Sequence, residues 1–178
     1  MALASLFRRH PHRDKAYRAY TAIVEQARKP TFFLDGEVPD TVDGRFELIA
    51  LHVFLALNRL KADREATADF AQELFDAMFA DLDRGLREMG ASDIGVGRHV
   101  KEMAKGFYGR VVAYEEGLAA GEATLGEALL RNLYGTVRPS AASVARLARY
   151  VMRQAQFLAR EPLDLLLAGK IKFDPLDI

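Results

Sequence analysis

The chain contains no cysteine, carries no net formal charge and has no long hydrophobic run. Without cysteine it cannot form disulfides, thiolate zinc sites, iron–sulfur ligation or a thiol nucleophile, which fits a reducing compartment such as the cytoplasm. Its 25 basic and 25 acidic side chains balance, so the composition does not indicate a strongly basic nucleic-acid binder and we expect no DNA partner. The longest apolar run without a formal charge, residues 48–58, is far shorter than the roughly 20 residues of a membrane-spanning helix.

The composition that is present favours a single globular domain. The chain has 178 residues, of which 50% are hydrophobic and 28% charged, so it is long enough to bury one sizeable core. Its first residues, MALASLFRRHPHR, place arginines after a short apolar stretch, whereas a secretory signal places basic residues before a longer one. We therefore predict a flexible basic arm at residues 1–13 and one helical domain at residues 14–178.

Apolar side chains recur at three- and four-residue intervals along most of the chain, which is the spacing of amphipathic helices. No segment alternates between polar and apolar residues as a strand would, and no internal repeat is present. The predicted helices span residues 14–28, 41–61, 65–89, about 98–118, 124–134, 140–160 and 162–169, with either Thr41 or Asp43 as the start of the second. The sequence therefore predicts an all-α, single-domain bundle of about six to seven helices.

Prolines and glycines mark two interruptions. Residues 31–44 follow Pro30 and contain Pro39 and two glycines, which predicts an ordered loop pinned to the core by its aromatic residues. Residues 91–97, ASDIGVG, predict an elbow that folds the third and fourth long helices into a hairpin. The elbow matches neither GxGxxG nor GxxxxGK[ST], so its glycines indicate a tight turn and not a phosphate cradle.

Few side chains suggest catalysis or metal binding. His52 lies in an apolar helix with Glu47 five residues before it, a spacing that places the two on different faces, and a hydrogen-bonded core histidine is the favoured interpretation. His99 is interpreted as a surface residue. Asp69, Glu73 and Asp76 share one helix side, but without Glu-x-x-His pairs they indicate a solvated acidic face. We predict no catalytic residue, no metal site and no cofactor.

The remaining candidate is a surface on the fourth long helix. Arg98, Lys101, Lys105 and Arg110 form a loose basic strip beside the aromatic pair Phe107–Tyr108. If the elbow makes the two helices antiparallel, Arg84 and Arg87 approach the same strip. A basic-aromatic surface can bind an acidic protein segment, a membrane surface or RNA. The alternative is an ordinary charged helix face whose aromatic residues lie in the core.

Three stretches together resemble the ubiquinol–cytochrome c chaperone family, which includes a mitochondrial assembly factor of the cytochrome bc1 complex and shorter alphaproteobacterial relatives. They are VPDTVDGRFELIALHVFLALNRL at 38–60, LFDAMFADLDRGLREMG at 74–90, and DIGVGRHVKEMAKGFYGR at 93–110 followed by Ala113–Tyr114. The resemblance extends over about residues 14–160. The chain is similar to the short bacterial form, without the long N-terminal extension and membrane anchor of the mitochondrial members.

The resemblance implies a non-enzymatic chaperone that binds newly made cytochrome b and assists its haem acquisition or its incorporation into the bc1 complex. Mitochondrial members work at a membrane with a small partner protein and the ribosome exit region. We therefore expect a cytoplasmic protein with peripheral contact to the inner membrane and its anionic surface. The hypothesised client-binding surface has aromatic contacts at Phe32, Phe33, Phe107 and Tyr108, and a basic rim at Arg84, Arg87, Arg98, Lys101 and Lys105.

Two other classes of function stay open at the level of sequence. One is a helical enzyme or haem-handling protein that uses His52 or His99 as base or ligand. The other is a protein that binds a membrane surface through residues 1–13. Adding haem to the purified protein tests the first class, because a haem-binding histidine would shift the Soret band. Vesicle binding by a chain without residues 1–13 tests the second.

Overall fold

The structure, a computed structural model, describes residues 12–88, 90, 93–135 and 137–175, with the side chains of residues 93, 94 and 99 outside that description. These residues form eight α-helices and no strand, and six of the helices have seven or more residues. The helices are α1 Arg13–Ala27, α2 Thr31–Leu34, α3 Val42–Lys61, α4 Arg64–Glu88, α5 Asp93–Ala120, α6 Glu122–Leu129, α7 Ala141–Arg160 and α8 Leu163–Leu167, with a π-helical turn at Leu130–Tyr134 after α6. The predicted all-α single domain is confirmed.

Helix α3 is the centre of the bundle. Its side chains are buried on every face from residue 46 to residue 56, as expected of a helix that is apolar all round. Helices α1, α4 and α7 pack directly against it. Thr41 caps its start, where the hydroxyl oxygen accepts a hydrogen bond from the Gly44 amide at 3.1 Å. The prediction of this central helix is confirmed.

The other helices pack around α3, most of them against their neighbours in the chain. Helix α4 packs on α1 and on α5, α5 packs on α6, and α6 packs on α7. Helices α5 and α6 approach closely at Gly117, where an added Cβ would lie 2.7 Å from the Leu125 Cα. Ser140 caps α7 by accepting a hydrogen bond from the Ser143 amide at 3.2 Å, as its position before the apolar stripe predicts.

Several predicted boundaries differ from the structure. The predicted loop contains the short helix α2, because the carbonyls of residues 29–31 accept backbone hydrogen bonds from the amides that follow Pro30. The predicted elbow is shorter, because α5 already begins at Asp93 and includes Gly95 and Gly97. Helix α6 begins at Glu122 instead of Thr124, directly after Gly121, whose φ of 106° ends the run of α5.

Candidate interaction surface

One face of α5 is turned away from the bundle between residues 98 and 112. Arg98, Lys101, Lys105, Tyr108 and Val112 recur on it at intervals of three and four residues, and all five are exposed. Tyr108 keeps 62% of its surface and Val112 55%, and the two side chains lie four residues apart on the same helix face. The face therefore joins a basic N-terminal part to an apolar centre.

The adjacent residues Phe107 and Tyr108 differ in burial, although both rings lie beside Phe75. Phe107 is 2% exposed and packs edge-on against Phe75 at 5.7 Å between ring centroids. Phe75 also contacts Phe79 at 4.7 Å and reaches Tyr108 at 5.9 Å. Phe107 thus belongs to the α4–α5 contact, and the prediction that it lies exposed in a groove is wrong. Tyr108 remains accessible, with its ring beside that aromatic cluster.

Phe32 and Phe33 do not join this face. Phe32 is 0% exposed and packs against the rings of His52 and Tyr150 at 5.3 Å each, so its predicted place in an open groove is wrong. Phe33 is half-buried and lines a separate depression of about 360 Å³ with the 76%-exposed Leu34. The residues lining that depression come from residues 28–45, and none comes from α5.

The predicted basic rim separates into paired and unpaired cations. On α4, Arg84 contacts Asp81 at 2.5 Å and Arg87 contacts Asp83 at 2.6 Å. On α5, Lys105 contacts Glu102 at 3.2 Å, and both side chains are exposed. These exposed pairs are individually worth little, about 0–1 kcal/mol, so the cations stay available to a partner.

Arg84 faces a different part of the molecule from α5. It lines a polar cleft of about 890 Å³ between α1 and α4 together with Tyr17. In contrast, Arg98 and Lys101 make no ion pair with any residue that the structure describes. The most accessible positive charge of the predicted rim is therefore at the N-terminal end of α5.

Arg110, grouped with the basic strip by its sequence position, turns inward to α3. Its Nε donates to Glu47 Oε2 at 2.6 Å, and its Nη2 donates to the second oxygen of the same carboxylate. Gly106 makes room for the guanidinium, since a Cβ there would lie 2.6 Å from Arg110 Nη1. Burial raises the pKa of the Glu47 carboxyl, and the Arg110 guanidinium opposes that shift. The pair fastens α5 to α3 and leaves only the outer face of α5 free.

His52 is a core residue, as the favoured interpretation states. It is 0% exposed; its Nδ1 lies 2.7 Å from the Leu48 carbonyl and its Nε2 lies 2.8 Å from the Tyr150 hydroxyl. A carbonyl only accepts, so Nδ1 carries the proton and Nε2 accepts from Tyr150. Gln26 Nε2 in turn donates to the Tyr150 oxygen at 2.9 Å. Burial lowers the pKa of His52 to about 4, so the ring is neutral near pH 7.

The other chemical candidates give no assembled site. Within the described ranges no group of three or more His, Asp and Glu side chains is placed to hold a metal ion. The side chain of His99 and the arm at residues 1–11 lie outside the described residues, so the hypotheses that use them stay predictions. In the part of the chain that the structure covers, no helix combines the length and the apolar character needed to cross a membrane.

Sequence reasoning missed Val112 as part of the surface. Its position four residues after Tyr108 places the two on one helix face, which was a usable signal. Valine at that point also fits an inward stripe, and the sequence does not show which stripe faces the bundle. The packing of Phe107 against α4 settles the phase of the helix and turns Val112 outward.

Comparison with known proteins supports the fold and the family. The family model for "Ubiquinol-cytochrome C chaperone" matches residues 34–173. The chain is 30% identical over 162 residues to ubiquinol-cytochrome-c reductase complex assembly factor 1 of Xenopus laevis, covering 90% of this chain and 81% of that protein. The human protein of that name is 29% identical, and the chain spans 54% of its length.

A solved structure has the same fold. The crystal structure of the Cbp3 homolog from Brucella abortus superposes with a TM-score of 0.82 at 37% identity, covering 96% of both chains. The family match covers most of the chain, including α3, the α4–α5 hairpin and α7. On this evidence the chain belongs to the ubiquinol–cytochrome c chaperone family.

Proposed function

We propose that this chain is a non-enzymatic assembly chaperone of ubiquinol–cytochrome c reductase that binds newly made cytochrome b. The family match and the names of the relatives, which are assembly factors of that complex, support the assembly role. A non-enzymatic role is supported by the internal engagement of His52, one of the candidate catalytic side chains, and of Glu47 in the same helix. His52 is held by Leu48 and Tyr150, and Glu47 is held by Arg110.

The main support for the proposed binding site is the exposed middle part of α5. Tyr108 and Val112 offer apolar surface to a segment of an unassembled membrane protein. Burying a side chain of this size fully is worth roughly 1.5–3 kcal/mol. These two partly exposed side chains therefore supply part of the binding free energy of a reversible contact, and too little for a permanent one, because association itself costs about 4 kcal/mol or more. A chaperone needs this balance, because it has to release its client to the complex.

Two positive charges lie on the N-terminal side of this apolar part of α5. Arg98 and Lys101 precede the apolar part by two to three helical turns and have no counter-ion among the described residues. They would attract acidic groups flanking an apolar client segment, or the anionic headgroups of the membrane that holds it. We extend the proposal to a cytoplasmic location with peripheral contact to the inner membrane, where the ribosome exit region would deliver the client.

A deletion in the native host tests the function. We expect loss of the gene to lower the steady-state amounts of cytochrome b and of assembled bc1 complex, measured by haem spectra and native gels, while other respiratory complexes stay unchanged. Normal amounts of both would refute the proposed function. Re-expression of the wild-type chain has to restore them for the result to count.

Complementation with surface variants tests the site. Tyr108→Glu/Val112→Glu and Arg98→Glu/Lys101→Glu should each lower cytochrome b capture in a pull-down at least fivefold, with unchanged helical content and melting temperature. Lys170→Glu/Lys172→Glu is the matched control for the Arg98/Lys101 variant, because it makes the same change in net charge at two exposed positions far along the chain. Leu34→Glu tests the separate depression beside Phe33. If the α5 variants capture the client as well as the control does, the site is wrong even if the function is right.

A further inference from the structure

No packing contact with the described residues requires a glycine at position 109. Gly109 lies in the middle of α5, is exposed, and a Cβ added to it would meet nothing within 4 Å. Glycine at such a position costs roughly 1 kcal/mol of helix stability relative to alanine. The buried Gly117 on the same helix differs, since Leu125 occupies the space that its side chain would need. Because it has no side chain, Gly109 leaves open space on the helix surface next to Tyr108, and we call this space the notch.

Two unpaired charges of opposite sign stand at equal distances from the midpoint between Tyr108 and Gly109. Lys101 precedes Tyr108 by seven residues, and Glu116 follows Gly109 by seven residues. Both are exposed, and neither forms an ion pair or hydrogen bond with a residue that the structure describes. At 1.5 Å per residue, each charge lies about 11 Å along the helix axis from the midpoint between Tyr108 and Gly109.

This pattern is complementary to itself when the helix direction is reversed. We infer that a second copy of this chain binds antiparallel across the outer face of α5, with the two-fold axis between Tyr108 and Gly109. In an isologous pair each contact occurs twice. Lys101 of each copy then faces Glu116 of the other, and the Tyr108 ring fills the opposite Gly109 notch. The aliphatic stem of Lys105 covers Val112 of the other copy.

The charge pattern selects a second copy over other occupants. A parallel pair would place Lys101 against Lys101 and Glu116 against Glu116, which is repulsive. An acidic client segment would be attracted to Lys101 and repelled by Glu116, whereas a second copy satisfies both. The contact is one helix face about 30 Å long, smaller than a permanent dimer interface, so the dimer forms and dissociates with protein concentration.

The dimer has a consequence for the proposed client site, and in this respect the inference rests on the proposed function. Both use Tyr108 and Val112, so the dimer covers the surface that the client needs. The dimer is then a resting form that shields exposed apolar side chains from aggregation, and client binding requires the monomer.

Charge exchange on the full chain tests the dimer directly by sedimentation velocity between about 5 and 500 μM. The wild-type chain should shift from monomer to dimer within this range. Lys101→Glu alone and Glu116→Lys alone should each weaken the dimer at least tenfold, because each creates two like-charge contacts. An equimolar mixture of the two single variants should dimerise as heterodimers, and the double variant Lys101→Glu/Glu116→Lys should dimerise again. Lys172→Glu and Glu127→Lys are the matched single-charge controls.

The inference is overturned if the wild-type chain stays monomeric throughout, or if a dimer forms that the single reversals and their mixture do not change. Gly109→Leu gives an independent check, since it fills the notch and should abolish the dimer while the chain stays folded by circular dichroism. No client is present in these measurements. If the chain is monomeric but its deletion still lowers bc1 levels, only the dimer inference is refuted. If the dimer forms as expected but deletion leaves bc1 levels normal, only the proposed function is refuted.

Discussion

The pH dependence of stability should show a titration step that belongs to His52. Its ring is fully buried and neutral, and burial lowers its pKa from the ordinary value of 6.5 to about 4. Between these two pH values the unfolded chain binds a proton that the folded chain does not bind. The free energy of unfolding therefore falls as the pH falls through this window, and the contribution is fully present above pH 6.5.

The size of this change in the free energy of unfolding follows from the pKa shift of His52. Each pKa unit corresponds to about 1.4 kcal/mol, so lowering the pH from 8 to 5 should remove about 2 kcal/mol through His52 alone. The matched variant is His52→Gln, because an amide can donate to the Leu48 carbonyl and accept from the Tyr150 hydroxyl without titrating. Urea unfolding at pH 8 and pH 5 gives the change in the free energy of unfolding for each of the two chains. The difference between the wild-type change and the His52→Gln change is the contribution of His52.

Equal pH dependence in the wild-type chain and in His52→Gln, within about 0.5 kcal/mol, would refute the reasoning. It would mean that water or a structural opening solvates the protonated ring in the folded state. If His52→Gln is too unstable to compare, the ring resonances of His52 give the same answer in the wild-type chain. They should stay those of a neutral imidazole with the proton on Nδ1 down to pH 5.

Two further predictions concern how α5 is held. Arg110→Met should lower the free energy of unfolding by about 3 kcal/mol, because it leaves the Glu47 carboxylate buried without its partner. The double variant Arg110→Met/Glu47→Leu should recover most of this loss, as measured by urea unfolding. No recovery would show that the guanidinium acts by packing alone. Gly117→Ala should lower the melting temperature because its Cβ would collide with Leu125, whereas Gly109→Ala should raise that of the dilute monomer, corresponding to about 0.5–1 kcal/mol. Equal effects of these two alanines, read by thermal circular dichroism, would contradict the assigned burial of Gly117.

The local structure was largely predictable. Apolar spacing indicates all the long helices, and the capping residues Thr41 and Ser140 mark their starts, because a helix start depends on hydrogen bonds between neighbours in sequence. The short α2 was missed, since a single helical turn after Pro30 carries no apolar period. The beginning of α5 was placed too late, because Gly95 and Gly97 favour a turn in isolation and packing overrides that preference.

The candidate site was predictable only in part. The sequence placed Arg98, Lys101 and Tyr108 on a surface, and the structure leaves all three exposed. It also grouped Phe107 and Phe32 with them, and both are core residues. An aromatic residue satisfies either role by composition, and only contacts with other helices decide between them. The client-binding role of these residues stays a prediction.

By itself the sequence determined that this chain is helical, where its long helices lie, and which family it resembles, because helix periodicity, caps and family motifs are written in neighbouring residues. The tertiary structure alone decided which face of each helix is free. His52 meets Tyr150, 98 residues away in the chain, and Arg110 meets Glu47, 63 residues away. Such contacts fix the rotation of α3, α5 and α7 about their axes. That rotation buries Phe107, exposes Tyr108 and Val112, and so creates the surface on which the proposed function depends.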